Sequence, residues 1–249
     1  MIKFFRKIRY DLMEKNKTGK YIKYAIGEIV LVVIGILIAL SINNWNETRK
    51  LELKKQELVL NLIDDFQENI TQLKPAIEYG NDLFEKMDAF FINAYDTDIK
   101  ISVDSLKTLS EGFFRPTQFF PSMVTYDEAK ANGNLTLLKN KDLSKEFVQF
   151  QLNYSNYLGI QNQAIDSYFK GSVWELKKSI GSLGKLVKRV KQRNYNQINN
   201  NSYLKLINTP LIIATFENQY DINANAYYAL KQMDSISEKI VKILNELKK

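Results

Sequence analysis

The sequence predicts an all-α fold: a single N-terminal transmembrane helix that continues into an elongated antiparallel helical bundle. Three observations point to it. Proline and glycine are scarce, four and ten in 249 residues, while Leu, Ile, Lys, Asn and Glu are abundant, a balance that favours long helices over many short strands. Ala25 to Ile42 is an eighteen-residue apolar run whose one charge is Glu28. Long stretches beyond it repeat apolar residues at helical rather than strand spacing. The expected organisation is a basic cytoplasmic segment over 1–23, a transmembrane helix over 24–44 and a periplasmic helical bundle domain over 45–249.

The span comes first. Eighteen helical residues rise ~27 Å, close to the thickness of bilayer hydrocarbon, and Ile29 to Leu40 lacks the polar stripe of a soluble core helix. Eight basic side chains precede the run and four follow it closely (Arg49, Lys50, Lys54, Lys55), which predicts a cytoplasmic N-terminus with the rest of the chain outside the inner membrane, in the periplasm where the cell has one. Tyr21, Lys23 and Tyr24 at one end and Trp45 at the other stand where interfacial anchors belong. Ala39-Leu40-Ser41 has the small-x-small form of a signal-peptidase site, but the long basic segment before it and the helix-compatible residues after it predict retention of the span. Gly27, Leu31, Gly35 and Ala39 recur at steps of four beside Glu28 and form a candidate helix-association face, since small residues let helices approach closely. Glu28 is expected to snorkel to the headgroups near Lys20 or Lys23; the sharper alternative is a partner-facing or proton-handling role.

Beyond Trp45, the spacing of Leu51, Leu58, Leu62, Phe66, Ile70, Leu73 and Ile77 extends the same helix outward without a breaker, kinked at most near Pro75, to about Tyr95. Ser102 is placed to cap a short helix that Gly112 ends, and "FFRPTQFFPS" reads as a loop whose phenylalanines cover the core. Ser122 is expected to cap a helix closed by Gly133. From Lys141, Leu143, Phe147, Phe150, Tyr154, Leu158, Ile165 and Phe169 predict a second long helix reaching the Trp174 region, with this stripe in the core. "SIGSLGKLVKRVKQRNYNQINNNS" reads as an irregular excursion, its Lys185, Lys188, Arg189, Lys191 and Arg193 a solvated surface. Thr209 and Pro210 open a short helix, and Ala226, Leu230, Met233, Ile236, Ile240, Ile243 and Leu247 mark a separate C-terminal one.

Composition narrows the chemistry. The chain has no cysteine and no histidine, which excludes thiolate nucleophiles, disulfides, imidazole acid/base chemistry and the usual zinc sites. Residues 1–23 hold eight basic and two acidic groups and account for nearly all of the +7 net charge, so the charge suits a membrane surface and no nucleic-acid partner is predicted. "GSLGKL" lacks the spacing of a phosphate loop, and no Gly-x-Ser-x-Gly, EF-hand or dinucleotide motif occurs. Asp64-Asp65 with Glu68, and Asp127-Glu128, read as acids on exposed helix faces. The sequence predicts no enzyme, no cofactor and no metal site.

"TGKYIKYAIGEIVLVVIGILIALSINNWNE", residues 18–47, resembles the N-terminal signature of an uncharacterised, domain-of-unknown-function family of single-pass inner-membrane proteins common in flavobacteria and related Bacteroidota. "TYDEAKANGNLTLLKNKDLSKEFVQFQLNYSNY", residues 125–157, is similar to its second landmark, with Ala131-Asn132-Gly133 where that family has Ser-Gly. The resemblance implies a helical protein anchored in the bacterial inner membrane with no catalytic residues to transfer, and it makes Glu28 a family trait. The expected function is a structural or accessory envelope protein whose partners are the lipid bilayer and either a second copy or another inner-membrane protein. The alternative is a periplasmic ligand-sensing module that signals through a separate partner. A conserved, ligand-sized apolar pocket with convergent polar groups in the bundle favours the alternative, and a dry packed core excludes it.

Overall fold

The computed structural model describes Tyr10 and residues 18–96, 101–114, 117–180 and 199–248. As predicted, the fold is all-α, with no strand among the described residues. The helices are α1 (Thr18–Tyr95), α2 (Val103–Ser110), α3 (Val124–Ala131), α4 (Lys141–Lys170), α5 (Ser172–Ile180), α6 (Asn200–Ile207) and α7 (Pro210–Leu247), with 3₁₀ turns at Glu111–Phe114 and Asn134–Leu137. Helix α1 runs without interruption from the apolar segment through Pro75 to Tyr95, the continuity that the missing breaker after Trp45 predicts. By its contacts the chain divides into Met1–Glu57 and Leu58–Lys249.

In Met1–Glu57, every side chain from Ile29 to Lys54 is exposed. The helix surface is stitched locally: Lys50 pairs with Glu47 at 3.1 Å, Lys55 with Glu52 at 3.2 Å, and the Thr48 hydroxyl donates to the Asn44 carbonyl at 2.9 Å. Such exposed pairs each add only a few tenths of a kcal/mol, roughly 0.2–0.5, to helix stability. Leu51, expected to begin the inward stripe, is 52% exposed; burial starts at Leu58, where partner helices become available.

Leu58–Lys249 is a bundle of three long helices. Phe90 of α1 meets Phe216 of α7 at 4.6 Å, and the Gly80 backbone lies against the Tyr227 ring. Rising numbers on α1 thus meet falling numbers on α7, and the two are antiparallel. Helix α4 runs parallel to α1: Phe66 contacts Phe147 and Phe150 at 5.6 and 5.2 Å, and farther along, Ser167 accepts from Gln219 of α7 at 2.8 Å. One apolar cluster joins α1 residues Leu58 to Leu73 with α3, α4 and the C-terminal half of α7. A second, rich in phenylalanine, joins Leu83 to Ala94 with α2, α5, α6 and the start of α7.

Two parallel helices need a crossover, and residues 101–140 supply it. Ser102 caps α2 as predicted, its Oγ accepting from the Ser105 amide at 3.1 Å. The helix ends at Ser110 in a 3₁₀ turn rather than at Gly112. An extended strap, Thr117 to Met123, then returns along the bundle. Phe113 and Phe119 point inward and Phe114 is half-buried, so three of the four phenylalanines cover the core, while Phe120 is 70% exposed.

The strap is pinned on both sides. Tyr157 of α4 donates to the Thr117 carbonyl at 2.9 Å. Asn69 of α1, fully buried, donates to the Ser122 carbonyl at 2.9 Å and accepts from the Ser122 amide at 2.7 Å. Asp65, one turn earlier, accepts from the Ser122 hydroxyl and from the Thr125 amide, both at 3.0 Å. Ser122 therefore does not cap α3. The N-cap position falls on Met123, which has no capping oxygen, and a carboxylate from another helix takes that role, favoured by the helix dipole. Gly133 closes α3 as expected, with φ +70°, the left-handed region that glycine enters without strain.

Four other expectations are corrected. On α4 the inward stripe follows Leu143, Phe147, Phe150, Tyr157 and Ile160, whereas Leu158, Ile165 and Phe169 are exposed. Steps of three at Phe147–Phe150, Tyr154–Tyr157 and Tyr157–Ile160 keep the true stripe beneath one face, and the longer steps assumed from the sequence drift off it. Helix α4 also stops at Lys170, because Gly171 packs on the preceding turn: a Cβ there would meet the Ser167 Cα at 3.0 Å. The end of the supposed irregular excursion, residues 200–202, opens α6, capped by Asn199, whose Oδ1 accepts from the Ser202 amide at 2.8 Å. Pro210 sits at the start of α7 as predicted, but α7 is a single helix of 38 residues rather than two. The basic cluster Lys185 to Arg193 lies outside the described residues.

Candidate functional site

Two places on the chain have a composition and an exposure that the core does not require. The first is the apolar part of α1. Among the described residues one helix, α1, contains within Ile22–Tyr95 a window long and apolar enough to cross a membrane, and none of that window is buried. Of the candidate association face, Gly27, Leu31, Gly35 and Ala39 are exposed, a Cβ at Gly27 or Gly35 would meet nothing within 4 Å, and Glu28 is half-shielded. Lys23 and Tyr24 are exposed; Tyr21 is in the helix, and its side chain lies outside the described residues. At the other end Trp45 is 65% exposed and carries Arg49 over its ring at 5.9 Å, a cation over an amphipathic ring.

The second place is a cavity of about 270 Å³ inside Leu58–Lys249. Its wall on α4 comprises Gln161, Ala164, Ile165, Tyr168 and Phe169. Helix α7 contributes Gln219, Ile222, Asn223 and Ala226, and the crossover contributes Phe113, Phe114 and Thr117. Ile165 and Phe169 stand at its edge, 51% and 62% exposed, and the α7 side offers two amides, Gln219 and Asn223, beside Ile222 and Ala226. Gln219 and Asn223 are 4% and 8% exposed, so their amides depend on protein partners. Gln219 Nε2 donates to Ser167 Oγ at 2.8 Å, and Asn223 Nδ2 donates to the carbonyls of Gln219 at 2.8 Å and Phe113 at 3.3 Å.

Polar capacity remains unspent. Thr117 is 2% exposed and its Oγ1 makes no hydrogen bond. Among the described residues the side chain of Gln161 makes none, and the Asn223 oxygen accepts none. Burial raises the Tyr157 hydroxyl above the ordinary tyrosine range, so it stays protonated and donates to the Thr117 carbonyl throughout the physiological range. Deeper in the second cluster, burial also pushes Tyr95 and Tyr203 up to about 12; the Tyr95 hydroxyl donates to the Ile207 carbonyl at 2.9 Å.

The acidic groups noted in the sequence do not assemble into a site. Asp65 is spent on the strap and on α3, Glu68 accepts from Gln72 at 3.0 Å, and no cluster of acids that could hold a metal occurs among the described residues. The sequence held no sign of the cavity: its polar members are ordinary helix residues and one strap threonine, and they converge only because α4, α7 and the crossover meet there.

Residues 28–143 match the model of a family of unknown function, DUF6090. That range spans the apolar part of α1, the Asp65 and Asn69 contacts and the crossover to α4, but not α7. No curated protein and no solved structure matches the chain.

Proposed function

We propose that this chain is a single-pass inner-membrane protein with its N-terminus in the cytoplasm and residues 45–249 in the periplasm, serving as a structural or accessory subunit through protein contacts. The observation that supports the reading is the wholly unburied apolar window at the start of α1. An apolar helix surface of that length is stable only against lipid or another apolar helix. The face of Gly27, Leu31, Gly35 and Ala39 admits close approach by a neighbouring helix, and Glu28 at its edge gives such a neighbour a polar point of register.

The absence of cysteine makes the test direct, since any introduced thiol is unique. With Lys7→Cys and Ser235→Cys variants in intact cells, a membrane-impermeant maleimide should label the second and spare the first once the outer membrane is permeabilised. Purification in mild detergent should yield a complex heavier than one chain, and a Leu31→Cys variant should give a disulfide-linked dimer if the neighbour is a second copy. Labelling of both cysteines in intact cells, or recovery of monomer alone, refutes the reading.

A further inference from the structure

The cavity has features of a binding site for which neither membrane anchoring nor protein contacts have any use. From it we infer a site for a small, uncharged molecule with an aromatic or branched apolar body and a single amide or hydroxyl head, held between α4, α7 and the crossover.

Size, walls and polarity each restrict the occupant. A ~150 Å³ apolar cavity accommodates benzene; on that scale a volume of about 270 Å³ takes a molecule of roughly nine to eleven non-hydrogen atoms. Phe113, Ile222 and Ala226 are apolar and buried, which suits a ring or branched alkyl body. No charged side chain is among the described residues that line the cavity, so a carboxylate or ammonium entering it would lose its hydration without compensation. The unspent groups are those a neutral head requires. The Thr117 hydroxyl can donate or accept, the Gln161 amide can do both, and the Asn223 oxygen accepts. Their backbone surroundings are already fixed, Thr117 by Tyr157 and Asn223 by its two donated bonds, so binding orders little that is not already ordered.

Two features of the cavity favour an occupant. The Thr117 Oγ1 is buried and unpaired, and two large apolar side chains, Ile165 and Phe169, stand in solvent at its edge. A ligand acts on both: its head lies beside Thr117, and its body covers part of Ile165 and Phe169. The entry path is the gap these two residues border.

The test uses the full chain in lipid nanodiscs with isotope-labelled isoleucine and alanine methyl groups, titrated with benzamide, benzyl alcohol and benzoate. Saturable shifts are expected at Ile222 and Ile165 with the two neutral probes and not at Ile63 or Ile240, which do not line the cavity. Benzoate should bind at least about tenfold more weakly. Ala164→Leu, at a half-buried position that lines the cavity, should abolish the shifts while leaving the remaining methyl spectrum in place, and Gln161→Leu should weaken benzamide more than benzyl alcohol. The inference is overturned if no probe gives saturable shifts at Ile222, if Ala164→Leu binds as the parent does, or if benzoate binds as tightly as benzamide. None of these outcomes bears on the topology or on membrane association.

Discussion

Asn69→Ala should be among the most damaging single substitutions in the bundle that leave its apolar packing largely alone. Asn69 is fully buried, and its amide forms a two-bond pair with the peptide groups of Ser122, 2.9 Å to the carbonyl and 2.7 Å from the amide. Each bond contributes about 0.5–1.5 kcal/mol net, and each buried group left without a partner costs about 1–3 kcal/mol. Ser122 is only half-buried and recovers some hydration, so the expected loss is about 2–4 kcal/mol. For a domain of this size that lowers the melting temperature by roughly 4–16 °C. The assay is thermal and urea unfolding of the full chain in detergent, followed by far-ultraviolet circular dichroism. Asn81→Ala is the control: Asn81 is exposed and bonds only to Glu85 one turn on, so its change should stay within about 0.5 kcal/mol. Asn69→Asp, which replaces the donor by a carboxylate facing a carbonyl, should cost at least as much as the alanine. A loss under about 1 kcal/mol for Asn69→Ala would refute the assignment of the strap to this pair.

Three further expectations follow from individual contacts. Asp65→Ala removes both of its acceptor bonds and should cost about 1–2 kcal/mol, whereas Asp64→Ala should be near neutral; equal effects in the same melts would remove the capping role. Gly80→Ala places a methyl 2.8 Å from Tyr227 Cδ2 and should destabilise by about 1–2 kcal/mol despite the better helix propensity of alanine, a loss that a double-mutant cycle with Tyr227→Ala should recover in part. The Asp234 carboxyl is held above its ordinary 3.8 by burial, then by Glu238, against the opposing Lys74. A raised folded-state pKa gives stability that is fully present below the unfolded value and lost as pH rises through the folded one. Asp234→Asn should therefore be more stable than the parent at neutral pH, and the advantage should vanish below about pH 4; equal pH dependence of the two unfolding curves would contradict this.

Periodicity revealed the long helices because it depends on a property each residue carries alone. Leu58, Leu62, Phe66 and Leu73 on α1, and Ala226, Leu230, Met233 and Ile240 on α7, are the inward residues their spacing predicts. It failed where the face changes or where a partner distant in sequence decides. The exposure of Leu158, Ile165 and Phe169 follows from where α7 and the crossover lie, which spacing on α4 does not encode. Asp65 as a cap for α3 is 60 residues from the amide it serves, and nothing in the local pattern marks it apart from Asp64. Helix α6 was hidden by its asparagines, which favour turns by composition yet here include the cap at Asn199. The cavity was least legible of all, because it consists of what several elements fail to fill.

The antiparallel pairing of α1 with α7 also sets a schedule for synthesis. Asp88 and Tyr220, which are hydrogen-bonded at 3.0 Å, are separated by 132 residues, and at ~5–20 residues per second a ribosome needs roughly 7–26 s to cover that interval. Throughout it Leu62, Phe66, Met87 and Phe90 have emerged without the helix that buries them. Early helix formation cannot shield this stripe, since only α7 completes both apolar clusters. Until α7 emerges the stripe stays uncovered, and a chain that stops before Pro210 keeps an exposed apolar face.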